Sequence, residues 1–199
     1  MERVPKIVVM VSGSGSNLQA IMDAVESGEI TAVISLVVSN RKDAYGLVRA
    51  QAANIPTLYF PLKPYRDAGK SREQYDGDLA AEIQEVEPDL IVLAGWMHIL
   101  SPAFLRQFDR CVINLHPALP GQFDGTHAIE RAFAAYQRGE IEHSGCMVHL
   151  AIPEVDAGSV VAQRIVLILP ADLLADFETR MHEAEHALIV DAVKIMLEN

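Results

Sequence analysis

Lys6-Ile-Val-Val-Met-Val11-Ser12-Gly13-Ser14-Gly15-Ser16-Asn17 decides the fold. Lys6–Val11 is a continuous apolar, mostly β-branched run, the pattern of a strand buried on both faces. Ser12–Ser16 is a glycine-rich loop. From Asn17 the pattern changes period: Leu18, Ile21, Met22 and Val25 recur at helical spacing, and Gly28 closes a helix over Asn17–Ser27. Strand, glycine loop and helix in this order open an α/β unit. Its helix amino terminus presents backbone N–H groups and a positive dipole end to an anion. The same loop is also readable as a tight turn with Ser and Asn capping.

The alternation continues along the chain. Strands are expected at Thr31–Val38, Thr57–Phe60, Asp89–Ala94 and Cys111–Leu115, and helices at Ala44–Ala53 and from the Ser71-Arg-Glu-Gln74 capping box to about Val86. Pro61–Lys70 reads as a loop. A helix follows at His127–Arg138. Ser144–Ile152 and Ser159–Leu167 are close enough in sequence to be antiparallel neighbours, and a long helix fills Leu173–Leu197. The expected fold is a three-layer α/β domain spanning 1–199. Its sheet is mostly parallel and doubly wound, with an antiparallel extension and a long C-terminal helix.

Bulk composition narrows the function. The 199 residues are 50% hydrophobic, with a net charge of −11 and two cysteines, Cys111 and Cys146. Such a chain buries a core without disulfides. Its charge disfavours nucleic acid and anionic membranes. No apolar run approaches the ~20 residues of a membrane span. The amino terminus lacks a signal-peptide layout, so a cytoplasmic enzyme is expected. The glycine loop fails the dinucleotide fingerprint, with Leu18 at the third glycine position and Ser39-Asn40-Arg41 where an acidic residue belongs. Gly69-Lys70-Ser71 fails the Walker pattern because Pro64 occupies its first glycine position. A cradle for one phosphate remains.

Two further segments carry chemistry. Cys111-Val-Ile-Asn114-Leu-His116-Pro117 ends a strand, and Asn114 and His116, two apart, point to the same side of it. Asp156 in Glu154-Val-Asp-Ala-Gly158 offers a carboxylate. Amide, imidazole and carboxylate together can stabilise an oxyanion and move a proton; turn-forming roles are the alternative for the same residues. His182-Glu-Ala-Glu-His186 satisfies zinc-protease patterns, with both histidines on one helix face. After it, Glu198 is the only glutamate that could supply the usual downstream third ligand. Glu185 falls on the apolar side with Met181, Leu188 and Ile189, where a carboxylate needs a partner or a ligand. It is read as a substrate contact, with no metal expected.

Taken in order, Ser12–Asn17, Leu93-Ala-Gly-Trp-Met97, Ile113-Asn-Leu-His-Pro117, Phe123-Asp-Gly125, His149, Val155-Asp-Ala-Gly158 and Glu185-His186 resemble the glycinamide ribonucleotide formyltransferase family over almost the whole chain. The resemblance implies transfer of a formyl group from 10-formyltetrahydrofolate to the amine of glycinamide ribonucleotide, by a monomer or homodimer. It implies Asn114, His116 and Asp156 as the catalytic set. Asn114 and His116 would donate to an oxyanion, and Asp156 would keep His116 charged and take the amine proton. It further implies Gly15, Ser16 and Asn17 as the phosphate cradle and Glu185 as a ribonucleotide contact. Trp96, Met97, His98, Ile99 and Leu100 would hold the folate pterin, largely through backbone groups, with Arg72 as a basic residue near the ligands. Two departures stand out. His98 replaces an Arg common in the family, and Ala118-Leu-Pro-Gly-Gln-Phe-Asp lacks the Leu-Leu-Pro-x-Tyr form of the wider formyltransferase group. The rival readings are a zinc hydrolase using His182 and His186 and a noncatalytic phosphate-binding module.

Overall fold

A computed structural model describes residues 3–198. The β-branched runs form the strands β1 (Lys6–Val11), β2 (Val33–Ser39), β3 (Thr57–Tyr59), β4 (Leu90–Leu93), β5 (Val112–His116), β6 (His143–Leu150) and β7 (Val160–Leu167). The helices are α1 (Ser16–Glu26), α2 (Tyr45–Ala52), α3 (Lys63–Asp67), α4 (Arg72–Gln84), α5 (Pro102–Leu105), α6 (Ala128–Gln137) and α7 (Leu174–Glu198). One seven-stranded sheet runs in the order β3-β2-β1-β4-β5-β6-β7. β1 to β5 are parallel, whereas β6 is antiparallel to both β5 and β7. The expected doubly wound sheet with an antiparallel extension is therefore the observed one.

Strand alternation splits the core into two layers. Ile7, Val9, Val11, Val92, Ile113, Leu115 and Cys146 face α1, α2, α6 and α7, while Val8, Met10, Ile91, Leu93 and Val112 face α4 and α5. A strand covered on both sides has no polar face, which is why β1 reads as an unbroken apolar run. The sheet order reverses between β1 and β4, so the loops after these strands open a crevice at the carboxyl edge, the usual ligand position in such folds.

Two short helices were not among the expected elements, α3 in the expected Pro61–Lys70 loop and α5 in a stretch between β4 and β5 for which no element was expected. Both carry proline in the first turn, where its missing N–H costs nothing. α4 begins with the expected capping box: Ser71 Oγ accepts from Gln74 N, and Gln74 accepts from Ser71 N.

Candidate active site

Asn114 and His116 leave the end of β5 on the α4 and α5 side of the sheet, the side marked by Val112. Pro117 ends the ladder immediately after. Asp156 reaches them from the loop between β6 and β7. It has φ +52°, in the left-handed region where Asp and Asn are enriched. Its carboxylate is a hub. Oδ2 accepts from Gly125 N at 2.8 Å and lies 3.4 Å from His116 Nδ1; Oδ1 lies 3.3 Å from Asn114 Nδ2 and 3.5 Å from His149 Nε2. The three residues singled out in the sequence are thus brought together.

His149 completes the cluster and was not among the expected site residues. It faces Asn114 across the antiparallel β5–β6 pair. Its Nδ1 lies 2.9 Å from the Leu150 carbonyl, an acceptor, so that nitrogen carries the proton. Nε2 is then free to accept from Asn114 Nδ2 at 3.1 Å. Both Nδ2 hydrogens of Asn114 consequently have partners. Gly158 makes this geometry possible: a Cβ there would fall 1.8 Å from the Leu150 oxygen that His149 uses.

Burial dominates the electrostatics. It pushes His116 below its ordinary pKa of 6.5, an effect opposed by Asp156 and the Phe123 carbonyl and reinforced by His149. Asp156 is likewise penalised by burial, but the Gly125 N–H bond and the nearby His116 oppose this, and its carboxyl is held below the usual value. The resting pair is therefore a carboxylate beside a neutral imidazole. His116 Nε2 is buried with no hydrogen-bond partner among the described residues. Ligand atoms of His116, Asp124 and Asp156 also lie within 4.8 Å of one another, a spacing that could hold a cation.

The glycine loop joins β1 to α1. Gly15, φ +71°, is the residue preceding α1, and a Cβ on it would lie 2.6 Å from the Gly46 Cα. Glycine at 15 is thus required by backbone conformation and by the close approach of α2. Ser16 and Asn17 form the first turn of α1, and Asn17 Oδ1 is buried without a partner among the described residues.

The loop after β4 lies beside it. Ser12 N donates to the Gly95 carbonyl and Met97 N to Ser12 Oγ. The Trp96 indole and Leu100 are buried in the core, while Met97 and Ile99 are each 64% exposed. Arg72 braces this segment, donating to the Ile99 carbonyl at 2.7 Å and to Asp76 Oδ1 at 2.9 Å; fully buried Asp76 in turn accepts from Ser101 N. Its side chain is therefore committed to the shape of the loop.

Glu185 is buried on the packed face of α7, 6% exposed, as its helical spacing indicated. It lies against Cys146, whose thiol is pushed up to about 12 by burial and by this carboxylate. This is the α1 side of the sheet, opposite Asn114 and His116. Its partner is His182, whose Nδ1 lies 2.7 Å from Oε2 and whose pKa the carboxylate raises.

Comparison with known proteins agrees with this layout. Residues 5–193 match the formyl transferase family. A phosphoribosylglycinamide formyltransferase of Schizosaccharomyces pombe is 49% identical over 198 residues, covering 96% of both chains. That of Escherichia coli is 41% identical over 182 residues, covering 92% of this chain and 82% of the relative. A crystal structure of glycinamide ribonucleotide transformylase 1 from Geobacillus kaustophilus has a TM-score of 0.90 and 32% identity, covering 98% of this chain and all of that one (100%). Since the match runs from β1 into α7 and these relatives align over most of both chains, the chain belongs to the formyl transferase family, among the phosphoribosylglycinamide formyltransferases.

Proposed function

We propose that this chain transfers a formyl group from 10-formyltetrahydrofolate to the amine of glycinamide ribonucleotide, with Asn114, His116 and Asp156 as the catalytic set. The observation that carries this reading is the Asp156 carboxylate, shared by Asn114 and His116 while His116 Nε2 stays unpartnered.

The substrate amine attacks the formyl carbon. A C–N bond forms, and the carbonyl electron pair moves to oxygen, giving a tetrahedral oxyanion. With Nδ1–H directed at Asp156, the bare Nε2 of neutral His116 takes the amine proton, directly or through water. The resulting imidazolium is disfavoured by burial but stabilised by Asp156 3.4 Å away. It donates to the oxyanion and then returns the proton to the departing folate nitrogen as the C–N bond to the donor breaks. Asn114 donates a second hydrogen bond to the oxyanion. Both its hydrogens are engaged in the free protein, so it gives up the longer, 3.3 Å bond to Asp156. His116 is thus charged only during turnover and takes the amine proton itself, in contrast to the resting charge and the Asp156 proton acceptor implied by the resemblance.

Ser16 and Asn17, at the positive end of α1, are the groups suited to the ribonucleotide phosphate. Gly15 serves by allowing the turn. Glu185 is suited to the ribonucleotide hydroxyls, though it meets the catalytic set only across the sheet. The Trp96–Leu100 segment offers main-chain groups to the pterin, with Arg72 holding its shape.

The test is formyl transfer followed spectroscopically, with and without chelator. The reading expects turnover dependent on both substrates and indifferent to chelation. Loss of activity on chelation would instead favour a cation at His116, Asp124 and Asp156, or at His182 and His186.

A further inference from the structure

His98 stands where the family often has Arg, and its contacts are directional. Met97 N–H donates to Ser12 Oγ at 2.9 Å. The Ser12 hydroxyl proton is then free to donate to Asn40 Oδ1 at 2.7 Å. That bond orients the Asn40 amide and turns its NH₂ towards His98, where Nδ2 lies 2.9 Å from Nε2. Asn40 Nδ2 can only donate, so Nε2 accepts from it in a neutral imidazole whose proton is on Nδ1, a buried nitrogen with no partner among the described residues. The circuit runs from the loop after β4 to the loop after β1, to the end of β2 and back to the loop after β4.

The surroundings fit this state. His98 sits edge-on to Tyr75 and Trp96, with ring centroids 6.1 and 5.6 Å away. The charged groups facing it are Arg72 of α4, and Arg66 and Arg41, which all disfavour an imidazolium, against Asp76 of α4, which favours one. Burial is the main cause that lowers the pKa of His98, and the three arginines add to it.

We propose that His98 is a positioning residue: its neutral ring, by accepting from Asn40, locks the Gly95–Leu100 segment onto the glycine loop and couples folate binding to ribonucleotide binding. This rests on the assignment of those two segments to folate and ribonucleotide. It also assigns the histidine a role that an arginine, which has no acceptor, cannot fill. An imidazolium would set N–H against N–H and open the lock.

The test is the folate KM, kcat and melting temperature of the native enzyme and of His98→Gln, His98→Leu and His98→Arg, between about pH 5 and pH 8. Gln keeps an acceptor and does not titrate. Native folate KM is expected to rise about tenfold on the acid side, the scale of one lost buried hydrogen bond. His98→Gln should stay near the native neutral value throughout. His98→Leu and His98→Arg should show the tenfold rise at every pH, with kcat within about twofold and a melting temperature lowered by about 2–4 °C or more, because the lock is already formed in the free protein. In the native enzyme, saturating ribonucleotide should tighten folate binding, and His98→Leu should lose that effect. His98→Arg with a folate KM at or below native would overturn the proposal, because it would make the missing cation the relevant feature. So would His98→Gln behaving like His98→Leu. NMR of isotope-labelled imidazole nitrogens reads the lock without turnover: Nε2 unprotonated at neutral pH is expected, and a protonated Nε2 overturns it. If formyl transfer is absent at every pH while the tautomer is as expected, the functional assignment fails and the lock stands.

Discussion

Replacing Asp156 by Asn separates catalysis from scaffold at a single atom. The backbone there is at φ +52°, which Asn adopts as readily as Asp, and an amide oxygen can still accept from Gly125 N–H. The turn should therefore survive. What is lost is the negative charge 3.4 Å from His116 Nδ1. For a fully charged pair at that distance, an effective dielectric of about 20 gives about 5 kcal/mol before screening. At about 1.4 kcal/mol per decade, this bounds the rate loss at 10³–10⁴. Part of it is recovered by the neutral amide, so a fall in kcat of about 10²–10³ is expected, within the range of lost acid–base assistance. The assay is single-turnover formyl transfer, paired with a thermal melt and far-UV circular dichroism. A folded Asp156→Asn protein retaining about a tenth of the native rate would refute the reasoning and return Asp156 to the scaffold.

Asn114→Ala should lower kcat by about 10²–10³ with little change in either KM, the usual cost of one oxyanion donor; near-native turnover contradicts that role. The kcat/KM profile should fall on the acid side with an apparent pKa below the ordinary 6.5 of histidine, because burial lowers His116; a limb above that value argues against a neutral resting imidazole. The same shift links to folding: the unfolded state binds more protons, so this residue's contribution to stability declines as pH drops below about 6.5. Ser16→Ala should raise the ribonucleotide KM and spare folate binding, whereas Gly15→Val should lower the melting temperature as well, since its side chain meets Gly46; a normal melt for Gly15→Val would show that the α1–α2 contact is misjudged.

Much of the sheet was legible because buried parallel strands must be apolar on both faces, as in β1 and β4. α3 and α5 were not, because five and four residues leave no room for a helical period, and only their prolines hinted at a turn. Within the site, Asn114 and His116 were visible because their spacing puts them on one side of one strand. His149 was not, since its role depends on the β5–β6 register, a non-local pairing that local pattern does not encode. Arg72 shows the same limit. The resemblance put it near the ligands, but its bonds to Asp76 and the Ile99 carbonyl, 27 residues along the chain, could not be read from local pattern. Glu185 was the reverse case, where helical spacing correctly placed a carboxylate in the core.

The central claim is direct formyl transfer by His116 and its neighbours without a metal. It is tested most directly by a single turnover of 10-formyltetrahydrofolate carrying a labelled formyl carbon, with glycinamide ribonucleotide and chelator present. The prediction is label appearing stoichiometrically in the amide of the ribonucleotide, at a rate that His116→Ala reduces by about 10²–10⁴. Label released as free formate, or undiminished transfer by His116→Ala, would contradict it.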